Sequence, residues 1–284
     1  MSLTITPSGR ACGATVTGVD LTQALAPESV IAIRQAWLEH HILAFPNQAM
    51  TDDDLERFTI AFGGFGDDPF IAPIAGRKNI IAVTRKADET APVFAGGWHT
   101  DWSFLEEPPA GTCLFGITIP PTGGDTLFAN QHLAYEQLPD DLRAAVEGKM
   151  AVHSAAASYA PKGKYGLADQ AGDRSMDIRP SDAALATHIH PLVRPHPETG
   201  RLGLFSTKGY IKALVDMPAD ASDALLDRLY QWQGRDEFVY RQKWQPNMLV
   251  MWDNRSLLHM ATGGYEGHAR HLHRTTIAAA KTNA

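Results

Sequence analysis

The chain has 284 residues, 44% of them hydrophobic, and a formal net charge of −7. That is enough apolar material for a sizeable core, and the acidic balance argues against the basic stripe that a nucleic-acid-binding surface requires. No apolar run approaches the roughly 18 residues of a membrane span. The polar start carries no basic-then-apolar leader. The two cysteines, Cys12 and Cys113, stand isolated. Lone thiols fit a reducing compartment better than a disulfide scaffold, so a cytoplasmic location is expected.

In chain order, "LTITPSGRACGATVTGV" alternates and reads as strand and turn. "APESVIAIRQAWLEHH" predicts a helix, with Pro27 suited to its first turn and Val30, Ile31, Ile33, Trp37 and Leu38 on an apolar stripe near helical spacing. "HILAFPNQ" is a short strand closed by Pro46. Thr51 then opens the helix "TDDDLERFTIAFG", with acids in its first turn and Gly63 and Gly64 after its last. From Asn79 onward short strand-like runs dominate: "NIIAVTR", "GTCLFGITIP", "DTLFANQ", "HPLVRPHP", "RLGLFST", "EFVYRQKW", "NMLVMWDN" and "HRTTIAAA". Two helices interrupt them, "LPDDLRAAVEG" and "PADASDALLDRLYQWQ". The pattern predicts a mostly β fold, a sandwich or barrel, with flanking helices. Residues 154–190 are small, polar and punctuated by Gly and Pro, too long for an ordinary loop. They are expected to form an insertion, a candidate lid over a site.

The chemistry begins at "GGWHTDWSF". In an extended segment alternate side chains share a face, so His99 and Asp101 would point the same way. An imidazole and a carboxylate suit Fe(II), Mn(II) or Zn(II) better than a thiolate-seeking metal. The plainer alternative is a His–Asp hydrogen bond on a strand edge. Candidates for a third ligand stand in "NMLVMWDNRSLLHMATGGYEGHARHLHRTTI", where His259 follows an apolar strand and a turn at Asp253, Asn254 and Arg255. His268, His271 and His273 compete with it. The last two precede Arg274 on one expected strand and are assigned to packing or the cleft wall.

The motifs "WHTD", "GGDTLF", "WDNRSLLH" and "RHLHRTTI", in this order, resemble the taurine dioxygenase / 2,4-D dioxygenase (TauD/TfdA) family of Fe(II)- and 2-oxoglutarate-dependent oxygenases. The resemblance spans nearly the whole chain. It implies a single domain over residues 1–284 with a double-stranded β-helix, the jelly-roll or cupin-like fold. It implies Fe(II) held by His99, Asp101 and His259, with open positions for the cosubstrates 2-oxoglutarate and O2. Arg270 and Thr126 would bind the distal carboxylate of 2-oxoglutarate, Gly123 and Gly124 turning the chain just before the threonine. Arg274 matches the family arginine that contacts a substrate sulfonate, or is a structural arginine on the last strand. The products would be succinate, CO2 and a hydroxylated small molecule. No protein general base is required. Related enzymes are commonly dimers or tetramers, so a homo-oligomer is expected, with neither a nucleic-acid nor a membrane partner.

The pattern departs from the taurine enzymes where they grip taurine. "DDPFIAPIAG" and "VFAGGWHTD" offer Phe70, Pro73 and Ala95, so the loop has lost polar handles and gained apolar surface. With Trp102 and Tyr159 as further aromatic walls, the expected substrate is bulkier and more apolar than taurine but still anionic: a sulfonate, sulfate ester or carboxylate. The rival readings are a desaturase of the same class, a Zn(II) hydrolase using the same ligands, and a non-catalytic ligand-binding β-barrel. The family's halogenases generally lack the carboxylate ligand, so Asp101 argues against halogenation.

Overall fold

The structure, a computed structural model, describes residues 3–170 and 172–279. Its strands are β1 (Thr4–Pro7), β2 (Ala14–Thr17), β3 (Ile42–Phe45), β4 (Ile81–Arg85), β5 (Gly111–Thr118), β6 (Thr126–Asn130), β7 (Met150–Ser154) and β8 (Thr187–Pro191). They continue with β9 (Val193–Pro195), β10 (Leu202–Leu204), β11 (Ile211–Leu214), β12 (Val239–Gln242), β13 (Leu249–Asp253), β14 (Leu257–Ala261) and β15 (Arg270–Ile277). The helices are α1 (Pro27–His40), α2 (Asp52–Phe62), α3 (Gln131–Glu136), α4 (Asp140–Val146), α5 (Ala156–Tyr159), α6 (Leu167–Gln170) and α7 (Ala219–Gln233). No helix among the described residues is long and apolar enough to cross a membrane.

A seven-stranded sheet in the order β1-β2-β3-β13-β5-β15-β4 forms one wall, and β12-β6-β14 forms the facing one. Side-chain alternation explains how both faces of the large sheet are buried. Leu43, Phe45, Cys113, Phe115, Leu249 and Met251 point outward into a core closed by Ile33 and Trp37 of α1 and Leu55, Phe58 and Phe62 of α2. Their neighbours Ile42, Ala44, Leu114, Val250 and Trp252 point inward and meet Phe128 of β6 and Leu257 of β14. This is the double-stranded β-helix with its helices outside. The site lies in the space between the two walls.

Local signals act where the sequence placed them. Thr51 and Asp54 exchange hydrogen bonds in a capping box at the start of α2, and Gly63, at φ 152°, ends it. Pro27 opens α1. Three elements differ from expectation. The run "HPLVRPHP" is not one strand, because Leu192 hydrogen-bonds to Lys149 and Phe205 at a crossing between β8 and β9, which pair in different sheets. Helix α3 was not anticipated; the Asn130 side chain, at the end of "DTLFAN", accepts from the amides of His132 and Leu133 and starts it. "EFVYRQKW" begins as a 3-10 turn over Asp236–Phe238 before β12. The 154–190 stretch carries α5, α6 and a 3-10 turn, and its Tyr159, Tyr165, Met176, Ile178 and Ala184 pack into one cluster with Phe70, Trp102 and Phe104. Residue 171 of that stretch, and residue 280 of the expected last strand, lie outside the described residues.

Candidate active site

His99, between β4 and β5, forms an antiparallel bridge with His259 on β14. The His99 amide donates to the His259 carbonyl at 3.0 Å, and the His259 amide donates back at 2.7 Å. This rung sets the two imidazole centroids 4.2 Å apart. Asp101 does not continue an extended segment; it begins a turn. Its side chain converges on the histidines because Thr100 is pinned, its hydroxyl donating to the Asn254 carbonyl at 2.7 Å. Asp101 Oδ1 lies 3.9 Å from His99 Nε2 and 3.6 Å from His259 Nε2. All three ligand atoms fall within 4.8 Å of one another. An ion with bonds of about 2.0–2.2 Å bridges ligand pairs up to roughly 4.4 Å apart, so both carboxylate–imidazole separations fit one ion.

The donor set is held in the protonation states a metal requires. His99 Nδ1 donates to the Gly97 carbonyl at 2.8 Å, which leaves Nε2 with its lone pair toward Asp101. Burial and the facing His99 push the His259 imidazole down to about 3, and burial lowers His99 as well, so both rings are neutral. Burial opposes the charge on Asp101, but His259, Arg274 and His99 outweigh it and hold the carboxyl below its usual range. The Thr112 hydroxyl donates to Asp101 Oδ2 at 2.6 Å and accepts from Asn254 Nδ2 at 3.0 Å. That bond occupies one carboxylate oxygen and leaves the other aimed at the imidazoles. The "WDNR" turn that delivers His259 is a buried charge knot: Asp253 accepts from Arg255 Nε at 2.9 Å and Nη2 at 2.6 Å, and from His196 Nε2 at 3.1 Å.

Beside this cluster, Arg270 of β15 is 5% exposed, and its Nε has no hydrogen-bond partner among the described residues. Burial pulls its guanidinium down to about 10. A buried, uncompensated cation is costly, and an anion of the right length would relieve it. Thr126 of β6 lines the same cavity, its hydroxyl accepting from Trp244 Nε1 at 3.0 Å. Gly123 and Gly124 precede it at φ 69° and 66°. A Cβ on Gly123 would lie 2.3 Å from the Gly264 carbonyl oxygen, and one on Gly124 would press on Arg270 at 3.3 Å. The residues therefore fit both a ferrous ion and a dicarboxylate beside it.

A second cavity of about 400 Å³ is lined by His99 and Asp101 and shares His99 with the first. Trp98, Trp102, Tyr159, Tyr165 and Tyr210 supply its aromatic walls, and Arg274 reaches both cavities. The Arg274 guanidinium lies 5.1 Å from the Trp102 ring centroid. Trp102 holds a left-handed backbone at φ 49°, a strained state for a bulky residue, and this turn places its indole beneath the arginine. Arg274 Nη2 donates to Asp68 Oδ1 at 2.6 Å, and Nη1 stands 3.7 Å from Asp101 Oδ1.

A family model described as "Taurine catabolism dioxygenase TauD, TfdA family" matches residues 4–276. The chain belongs to the TauD/TfdA family. An (S)-phenoxypropionate/alpha-ketoglutarate-dioxygenase of Delftia acidovorans is 35% identical over 271 residues, covering 92% of this chain and 89% of that protein. An alkylsulfatase of Acinetobacter baylyi is 33% identical over 276 residues, covering 94% and 82%. The crystal structure of a taurine dioxygenase from Burkholderia xenovorans superposes with a TM-score of 0.80 at 32% identity, covering 99% and 92%.

Against the TauD/TfdA expectations, the structure brings His99, Asp101 and His259 together and places Thr126 and Arg270 at the adjoining cavity. Trp102, Tyr159 and Arg274 line the larger cavity. Phe70 does not reach it; its ring stacks behind Tyr159 at 5.1 Å and 9°. His271 and His273 face away from the site, because they alternate with the inward Arg270, Leu272 and Arg274; His273 Nδ1 bonds Asp52 of α2 at 2.6 Å. The loop after α2 has not lost its polar handles altogether. Asp68, two residues before Phe70, grips Arg274, and only the β15 register reveals this. Thr112, Tyr165 and Tyr210 were also missed. Each reaches the site by a packing relation that no local motif carries.

Proposed function

We propose that this chain is an Fe(II)- and 2-oxoglutarate-dependent dioxygenase that hydroxylates a small, anionic, predominantly apolar organic molecule. The observation that carries the reading is the juxtaposition of a His–Asp–His ligand cluster with the buried Arg270, whose Nε has no hydrogen-bond partner among the described residues. When bound, ferrous ion with 2-oxoglutarate and O2 supplies an oxidative decarboxylation, giving succinate and CO2, coupled to hydroxylation of a neighbouring C–H bond.

The chain's own residues do the rest. His99, Asp101 and His259 would hold the metal, and His99 lines both cavities. Arg270, with the Thr126 hydroxyl, would bind the far carboxylate of 2-oxoglutarate. Arg274, whose Nε has no partner among the described residues, would attract the substrate's anionic group. Tyr159, Tyr165 and Tyr210 would enclose the apolar body. The 154–190 stretch supplies two of these tyrosines and would exclude water as a lid. The relatives' names support this class: one is named for phenoxypropionate and another as an alkylsulfatase. Buried, unpaired Cys12 and Cys113 support a reducing, cytoplasmic setting.

The test is succinate release with Fe(II), 2-oxoglutarate and O2 against a panel of alkyl sulfates, alkyl sulfonates and aryloxycarboxylates. At least one class should raise succinate above the substrate-free rate, and Asp101→Ala should abolish that increment. A panel with no increment, or wild-type turnover by Asp101→Ala, would refute the reading. Turnover that needs neither 2-oxoglutarate nor O2 would point to a hydrolase instead.

A further inference from the structure

Asp68 lines neither cavity, yet it makes the shortest contact to Arg274, 2.6 Å from Oδ1 to Nη2. Arg274 is 5% exposed and rests over Trp102, so its guanidinium has little room. Its other terminal nitrogen, Nη1, is 3.7 Å from Asp101 Oδ1. That same oxygen faces the Nε2 atoms of both His99 and His259. It is the one carboxylate oxygen that Thr112 leaves free. A guanidinium and a metal ion therefore compete for one oxygen. An advance of less than 1 Å would turn the 3.7 Å approach into a charge-assisted hydrogen bond of about 2.8 Å. Asp68 pulls from the opposite end of the guanidinium.

We propose that Asp68 is a positioning residue that tethers Arg274 away from Asp101 and so keeps the metal-binding oxygen available. The proposal rests on the metal reading of His99, Asp101 and His259. Asp68 acts through the arginine and not on the ion: it holds no ligand position, and the guanidinium stands between it and Asp101. Arg274 also lines the larger cavity, and its Nε has no partner among the described residues. One bond thus serves both the ligand set and the anion site.

The test is a double-mutant cycle read by Mn(II) binding, measured by calorimetry and by loss of the free-ion magnetic resonance signal, on the whole protein without turnover. Asp68→Asn preserves shape and removes the charge; Asp68→Ala removes the tether outright, and circular-dichroism melts establish that each variant is folded. Wild type should bind one Mn(II), and Asp68→Asn should bind at least tenfold more weakly. In an Arg274→Met background the same Asp68→Asn change should alter affinity less than threefold, because no guanidinium is left to restrain. Equal affinity in wild type and Asp68→Asn would overturn the proposal. So would an equal loss in both backgrounds, which would mark a direct electrostatic or merely structural effect. A wild-type protein that binds no Mn(II) would overturn the metal reading itself, and the tether with it.

Discussion

Replacing Arg270 with Met should make the metal-free protein more stable while crippling its use of 2-oxoglutarate. Arg270 is 5% exposed, with no acceptor on its Nε among the described residues. Burial draws it from its ordinary value above 12 down to about 10. At about 1.4 kcal/mol per tenfold, that depression penalises the charged form by roughly 3 kcal/mol. Methionine keeps much of the stem's volume and carries no charge to desolvate. In a chain of this size each kcal/mol moves the melting temperature by about 2–4 °C, so the metal-free variant should melt a few degrees above wild type. The loss on the other side is larger. Truncating one partner of a buried charged pair costs about 2–5 kcal/mol, which predicts a rise of roughly 30-fold or more in the KM for 2-oxoglutarate. Calorimetric melts of metal-free protein and succinate-release kinetics read the two effects separately. A variant that melts below wild type with an unchanged KM would refute the reasoning, because Arg270 would then be a fold contact rather than a waiting anion site.

Thr112→Val should lower Mn(II) affinity about 10- to 100-fold with little change in melting temperature, since the hydroxyl orients Asp101 from behind; affinity within threefold of wild type would remove that role. Acid stability is set in part by His41 and His153, both buried and both pushed down to about 3, chiefly by desolvation. The unfolded chain takes up these protons near pH 6.5 and the folded chain does not. Their contribution is therefore complete above about pH 6.5 and is lost as pH falls toward 3. Each should steepen the decline by about 1.4 kcal/mol per pH unit. His153→Gln should flatten the slope of urea-unfolding free energy between pH 6 and 5 by about that amount, and an unchanged slope would show that His153 does not titrate on unfolding.

Features carried by neighbouring residues were readable from the sequence. The capping box at Thr51 and Asp54, Pro27 at the head of α1, and the apolar alternation of β3 and β13 needed only short windows. The convergence of the candidate ligands was readable where a motif compresses it, as at His99 and Asp101. It was illegible where two distant segments meet in register. Asp68 meets Arg274 because the loop after α2 closes over β15, and nothing local to "GDDPF" announces that. Phe70 was misplaced for the same reason. Its apolar character was evident, but whether it touched the cavity or stood behind Tyr159 depended on a stacking partner 89 positions away, at the end of the short helix α5. The direction of Asp101 was anticipated on strand alternation, whereas a turn pinned through Thr100 produces it.

The paired amide–carbonyl bonds joining His99 to His259 have a consequence for how this enzyme can change. The spacing of the two nitrogen donors is a property of one ladder step, independent of the long path the polypeptide takes between them. Loops along that path can lengthen, shorten or swap side chains without altering the spacing of the two imidazoles. The cavity linings and the histidine pair can then drift separately, which is a physical route by which one scaffold comes to hold differently shaped cavities beside the same pair of rings.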